Sequence, residues 1–261
     1  MATYRILFLG DVVGKPGRNA VREALPSLQD THRPLFSIAN GENAAGGVGI
    51  TPEIADELFA TGLDAITLGN HAFNKRDIYP YLESGKPIVR PGNMPDAAPG
   101  RGLAIVERDA VRLAVMNLCG RVFLEGFDDP FRTFDRLFAE AATPHVFLDF
   151  HAEATSEKIA MAYHCEGRAS VVAGTHTHVP TADERVLPGG TATITDVGMC
   201  GPENGVIGMD RGVVVERFRT SLPARFVVAD GPGVICGVVI DVERENGRAV
   251  AIERLRFETH H

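Results

Sequence analysis

A run of roughly 18 apolar residues, the length a bilayer-spanning helix needs, is missing from this 261-residue chain, so no membrane span is expected. The opening MATYRILFLGD also lacks the basic region, apolar stretch and cleavage site of a secretory signal. It passes straight into a strand pattern, and a cytoplasmic location is expected. Cysteine is scarce: Cys119, Cys165, Cys200 and Cys236 lie far apart and form no CxxC pair. That spacing argues against a disulfide framework or a thiolate zinc site and predicts reduced, mostly buried thiols. Positive charge is in deficit, with 26 Lys and Arg against 34 Asp and Glu and a net charge of −8. No extended nucleic-acid groove is therefore expected. No repeat, low-complexity tract or composition break marks a boundary, so residues 1–261 read as one domain, and a homo-oligomer is compatible with everything above.

What is present is an alternation of β-branched apolar runs with helix-like segments, the pattern of an α/β fold with helices outside its strands. Arg5 to Leu9 is the first strand, and Pro16 opens a helix through Leu25. Leu35 to Ala39 is the second strand, Thr51 and Pro52 cap and start the next helix, and Asp64 to Leu68 is the third strand. Asn74 to Glu83 suits a helix, and Lys86 to Arg101, dense in Pro and Gly, an irregular connection. Strands resume at Leu103, Arg112, Val146 to Phe150 and Ser170 to Ala173, with helices at Phe131 to Ala142 and Ser156 to Tyr163. Two hairpins follow, one around Pro188-Gly189-Gly190 and one around Glu245-Asn246-Gly247, where Asn-Gly predicts a tight primed turn.

Small polar clusters sit where these strands end, the usual ligand edge of an open α/β sheet. Gly10-Asp11 closes the first; helix capping or a plain turn would also explain it. Asn40-Gly41-Glu42-Asn43 closes the second and offers a carboxylate and an amide oxygen together, although a solvated glycine turn has the same composition. Gly69-Asn70-His71 closes the third, pairing an oxygen ligand with a proton donor useful in phosphate-ester cleavage. His151 follows Val146 to Phe150, whose one charge is Asp149, and should emerge at the strand end. Gly174-Thr175-His176-Thr177-His178 is sharper, because in an extended segment two imidazoles one residue apart point to the same side. Terminal His260 and His261 are set aside. Asp11, Glu42, Asn43, Asn70, His151, His176 and His178 together supply oxygen and nitrogen donors for two divalent metals, with Glu42 the natural bridge and manganese, iron, magnesium and zinc all compatible.

The order of these motifs resembles the calcineurin-like metallophosphoesterases, and within them the bacterial YmdB-like branch. The resemblance rests on Gly10-Asp11-Val12-Val13-Gly14, Asn40-Gly41-Glu42-Asn43-Ala44, Leu68-Gly69-Asn70-His71, His151-Ala152-Glu153, Gly174-Thr175-His176-Thr177-His178 and Thr195-Asp196-Val197-Gly198-Met199, and so spans most of the chain. The wider superfamily has His where Val13 stands and Asp where Glu42 stands. Both departures look like the YmdB-like branch, with Asn43 substituting as a ligand.

The resemblance implies a four-layer α/β/β/α sandwich and hydrolysis of cyclic nucleotides, notably 2′,3′-cyclic nucleotides, by metal-activated water. It implies one metal on Asp11, Glu42, Asn43 and His178, and a second on Glu42, Asn70, His151 and His176. Iron or manganese is expected first, magnesium or zinc as alternatives. His71 is then a catalyst rather than a ligand, protonating the departing ribose oxygen. Two other functions share parts of the pattern: a metal-stabilised nucleotide-binding signalling or scaffold protein, and a nuclease for longer RNA. The presence of His71 argues against the first and the charge deficit against the second. Arg121, Lys15 and Gly198-Met199-Cys200-Gly201-Pro202 can border a substrate, with exposure and turn formation as equal explanations.

Overall fold

A computed structural model describes residues 2–259, so His260 and His261 lie outside the described residues. In chain order the elements are β1 (Thr3–Leu9), β2 (Asp11–Val12), α1 (Gly14–His32), β3 (Phe36–Asn40), α2 (Pro52–Ala60), β4 (Ala65–Thr67), α3 (Ile78–Leu82) and β5 (Ile88–Val89). The second half holds β6 (Leu103–Arg108), β7 (Val111–Cys119), α4 (Pro130–Ala141), β8 (Val146–His151), α5 (Thr155–Cys165), β9 (Val171–Thr175), β10 (Arg185–Val186), β11 (Ala192–Ile194), β12 (Met199–Pro202), α6 (Arg211–Thr220), β13 (Gly233–Glu243) and β14 (Ala249–Glu258). They form an eight-stranded sheet, β2-β12-β13-β1-β3-β4-β5 with β14 also on β13, and a six-stranded sheet, β10-β11-β9-β8-β7-β6.

Period-two alternation assigns each strand face to a different core. From β1, Tyr4, Ile6 and Phe8 meet Leu113, Val115 and Phe147 of the other sheet, and the Phe8 and Phe147 rings stand 4.8 Å apart edge to face. Leu7 and Leu9 face the other way, onto Val21, Leu25 and Leu28 of α1 and Leu58 of α2. On the far side Met116, Leu148 and Phe150 pack on Phe134 and Leu137 of α4 and Met161 of α5. Helices, sheet, sheet, helices is thus the order of the layers. Each fully buried ring or aliphatic side chain contributes about 1.5–3 kcal/mol. Both faces of the strands are spoken for, leaving their ends for chemistry.

Three local expectations are corrected. Helix α1 does not stop at Leu25 but runs on through Pro26 to His32. A proline there forfeits one ladder bond, to the carbonyl of Arg22 on the exposed face, and burial of Leu28 outweighs that loss. The helix expected from Asn74 shrinks to Ile78–Leu82, the residues before it forming turns. Gly247 is left-handed (φ 74°) but Asn246 is not, and Gly247 N donates to Glu243 O at 3.1 Å. The last hairpin therefore closes with a wider turn than the primed one, set by Gly247 lying against Pro144, where a Cβ would meet the carbonyl oxygen at 2.1 Å. All four cysteines are free and buried, as expected, and burial raises each thiol pKa. Among the described residues no helix is long and apolar enough to cross a membrane.

Candidate metal centre

Strand β1 turns sharply into β2 because Gly10 has no side chain: a Cβ there would lie 1.9 Å from Gly198 O. The close approach lets Asp11 pair in parallel with Met199 of β12. Segment Met199–Pro202 is therefore a buried strand rather than a loop. The Asp11 carboxylate is fully buried. Its Oδ2 accepts from His176 N at 3.2 Å, while Oδ1 has no hydrogen-bond partner among the described residues. Burial raises the Asp11 carboxyl pKa, with His178 and His151 opposing that rise. A buried oxygen left without a donor is uncommon and fits a cation ligand.

At the end of β3, Asn40 shapes the turn by accepting Glu42 N at 3.0 Å through Oδ1 and donating to Leu68 O and Asp149 Oδ2 at 3.0 and 2.9 Å. Glu42 is buried between two sets of partners. Its Oε1 lies 3.0 Å from His151 Nε2 and 3.2 Å from Asn43 Nδ2, and its Oε2 accepts the His71 peptide N–H at 3.0 Å. Burial alone would raise this carboxyl, but His151 and the N–H donors hold it at about 2. Asn43 Nδ2 also lies 3.2 Å from His178 Nε2, so it is the amide nitrogen that faces Glu42 and His178. A ligating Asn43 has to turn its amide over to present oxygen.

His151 ends β8, as expected, but its imidazole is wholly buried rather than emerging. Its Nδ1 meets Thr175 Oγ1 at 2.8 Å, and Thr175 donates to Asp149 Oδ1 at 2.6 Å. Its Nε2 lies 3.0 Å from each of Glu42 Oε1, Asn70 Oδ1 and His176 Nδ1. Four lone-pair donors therefore converge on one point. Burial would lower the His151 imidazole, yet Glu42, Asp11 and Asp149 lift it to about 9. Burial and the charge of His151 push His176 down to about 3. The convergence is a place for positive charge, which a bound cation would supply.

The expectation that His176 and His178 share one side of an extended segment is corrected. Strand β9 stops at Thr175, and both histidines have positive φ, 102° and 67°. Their rings consequently part. His176 stacks edge-on against His151 at 4.7 Å, with its Nε2 3.1 Å from Glu153 Oε2, whereas His178 turns to Asn43 and sets Nδ1 2.9 Å from Ile207 O. Such backbone persists only where neighbours over-determine it. Here Thr177 N donates to Asp196 Oδ2 at 3.0 Å, and the buried Lys158 ammonium donates to the same oxygen at 2.7 Å.

His71 is half-buried, and its imidazole has no hydrogen-bond partner among the described residues. Arg121 and Lys15 are exposed, Arg121 with its guanidinium 3.8 Å from Asp129. The sequence assigned no role to Asp149, Thr67, Thr175, Lys158 and Asp196, although Asp149 stood out as a lone charge in an apolar run and Thr175 and Asp196 lay within quoted motifs. Asp149 Oδ2 accepts from Thr67 Oγ1 at 2.5 Å as well as from Asn40, so it bridges the two sheets beneath the cluster. Burial pushes its carboxyl up to about 7.

Gly69 supplies a test of this geometry. A Cβ at that position would lie 2.3 Å from Glu42 Oε2 and 2.6 Å from His151 Nε2. Gly69→Ala should displace both side chains and weaken metal binding by more than the roughly 10–100-fold that loss of an outer partner costs. Calorimetric manganese titration of the folded variant checks this; wild-type affinity would mean that the two side chains do not meet at a metal.

Comparison with known proteins agrees with this architecture. The family model described as "YmdB-like protein" matches residues 7–255. The 2′,3′-cyclic-nucleotide 2′-phosphodiesterase of Bacillus subtilis (strain 168) is 52% identical over 259 residues, covering 98% of each chain. A crystal structure of a hypothetical protein from Thermus thermophilus superposes with a TM-score of 0.93 at 43% identity, covering 98% of this chain and 99% of that one. A novel phosphatase from Mycoplasma pneumoniae gives a TM-score of 0.93 at 32% identity, covering 100% and 95%. With the family model spanning nearly the whole chain and a relative above half identity, this protein belongs to the YmdB-like family.

Proposed function

We propose that this chain is a one-domain cytoplasmic phosphodiesterase with a dinuclear metal centre, acting on small cyclic nucleotides and foremost on 2′,3′-cyclic nucleotides. The observation that carries the reading is the convergence of Glu42, Asn70 and His176 on His151 Nε2, each at 3.0 Å. The activity of the Bacillus subtilis relative supports the substrate class.

The donor set fits divalent metal. Asp11, Glu42, Asn43 and His178 would hold one ion and Glu42, Asn70, His151 and His176 the other, with Glu42 shared. Iron or manganese suits this mixture of oxygen and imidazole, with magnesium or zinc as alternatives. When bound, two such ions supply positive charge for the phosphate oxygens and lower the pKa of water to near neutral.

The protein's own part is orientation and proton transfer. Ile207 O fixes His178 through Nδ1, Thr175 fixes His151 through Nδ1, and Glu153 fixes His176 through Nε2, so in each ring the other nitrogen is turned inward. His71 is anchored by its peptide N–H on Glu42 while its ring keeps a nitrogen free among the described residues. It holds the proton that the departing ribose oxygen needs.

Steady-state hydrolysis of 2′,3′-cyclic AMP, bis-p-nitrophenyl phosphate and an RNA oligomer, each with manganese and with chelator, tests the reading. Metal-dependent turnover favouring the cyclic nucleotide is expected. Preference for the RNA oligomer, or nucleotide binding by metal-loaded protein without turnover, would replace it with the nuclease or the scaffold.

A further inference from the structure

Residues 120–128 leave the carboxyl end of β7 beside His151: Cys119 pairs with His151 across β7 and β8, and Gly120 N donates to His151 O at 3.0 Å. Asn93 closes the neck of this loop. Its side chain donates to Cys119 O and Asp128 O at 2.7 and 2.9 Å and accepts Cys119 N at 2.9 Å, while Asn93 O accepts Asp128 N at 2.8 Å. The ascending limb is held by Glu157, whose two carboxylate oxygens accept Arg121 N and Val122 N at 2.9 and 3.3 Å. Gly120 makes that clamp fit, since a Cβ there would meet Glu157 Oε2 at 2.3 Å.

At the top of this tied loop stands Phe123, 85% exposed and with φ at 64°. A bulky side chain in left-handed backbone is unfavourable, and a phenyl ring left in water forgoes its burial energy. The loop thus holds an aromatic ring in solvent at two separate costs. Extended chain from Gly120 spans at most about 10–11 Å in three residues, so Phe123 stays within that reach of the β7–β8 strand end that carries His151.

We propose that Phe123 is the platform on which the base of a nucleotide substrate stacks while its phosphate sits at the Glu42–His151 centre. Every base has a π-face, so stacking selects nucleotides over base-free phosphodiesters and tolerates any of the bases. The inference rests on the phosphodiesterase reading. It adds a specificity-determining residue outside the metal cluster.

The test is kcat/KM for wild type, Phe123→Ala and Phe123→Trp on 2′,3′-cyclic AMP and on glycerol 1,2-cyclic phosphate, which has no base. Phe123→Ala should lose roughly 10- to 100-fold on the nucleotide, the span of base–aromatic stacking. The loss should fall in KM because stacking is made equally in ground and transition states. The loss on the glycerol ester should be much smaller, and Phe123→Trp should restore the nucleotide value. Equal losses on both substrates, or an undiminished nucleotide value in Phe123→Ala, would overturn the platform while leaving hydrolysis established. A wild type inactive on both esters with metals bound would instead overturn the phosphodiesterase reading, and this inference with it.

Discussion

Glu42→Gln is expected to empty the metal centre and abolish turnover while the fold persists. Glu42 is the one side chain assigned to both ions, and its two oxygens already face different partners, Oε1 toward His151 and Asn43 and Oε2 toward the His71 peptide. The amide keeps the shape and one acceptor oxygen but removes the negative charge that steadies the pair of cations. Loss of an outer hydrogen-bond partner costs about 10–100-fold in metal affinity, so loss of the shared anionic ligand should exceed that at each site. Manganese titration followed by activity at saturating metal measures both effects. Activity within tenfold of wild type at full occupancy would take Glu42 out of the bridging position.

His71→Ala is expected to keep its metals and lose about 10²–10⁴-fold in kcat on cyclic nucleotides, the usual worth of a general acid. Its ring makes no hydrogen bond or ion pair with a proposed ligand among the described residues, and the peptide N–H that contacts Glu42 survives the substitution. A ribose alkoxide is a poor leaving group and needs the proton; p-nitrophenolate does not. The loss should therefore be far smaller on bis-p-nitrophenyl phosphate. Similar losses on the two esters would assign His71 to positioning of phosphate instead.

The strand-end clusters were legible because parallel strands buried on both faces leave polar residues little place except the ends. Thr51-Pro52 was legible as a helix start because its signal is local, and Thr51 Oγ1 does accept Ile54 N at 3.4 Å. What escaped the sequence depends on distant partners. β2 and β12 are short segments that become strands only by pairing, β2 with β12 and β12 in turn with β13. α6 carries β-branched Val213, Val214 and Val215 and buries one hydrophobe, Val214, so it shows no amphipathic stripe. The left-handed turns at His176 and His178 follow from Asp11, Asp196 and Lys158, residues up to 165 positions away. Nothing in Thr175-His176-Thr177-His178 itself announces them. Lys158 looked like any helix lysine until its burial against Asp196 placed it under the histidine turn.

The central claim is that one chain holds two metal ions between Asp11 and His178 and needs them for hydrolysis. Metal content by plasma mass spectrometry, read alongside cyclic-nucleotide turnover on the same samples during stepwise chelation and manganese or iron restoration, tests it most directly. The account predicts about two ions per chain in active protein, with activity falling as they are removed and returning as they are replaced. At most one ion at saturation in folded protein, or full turnover after both are stripped, would contradict it.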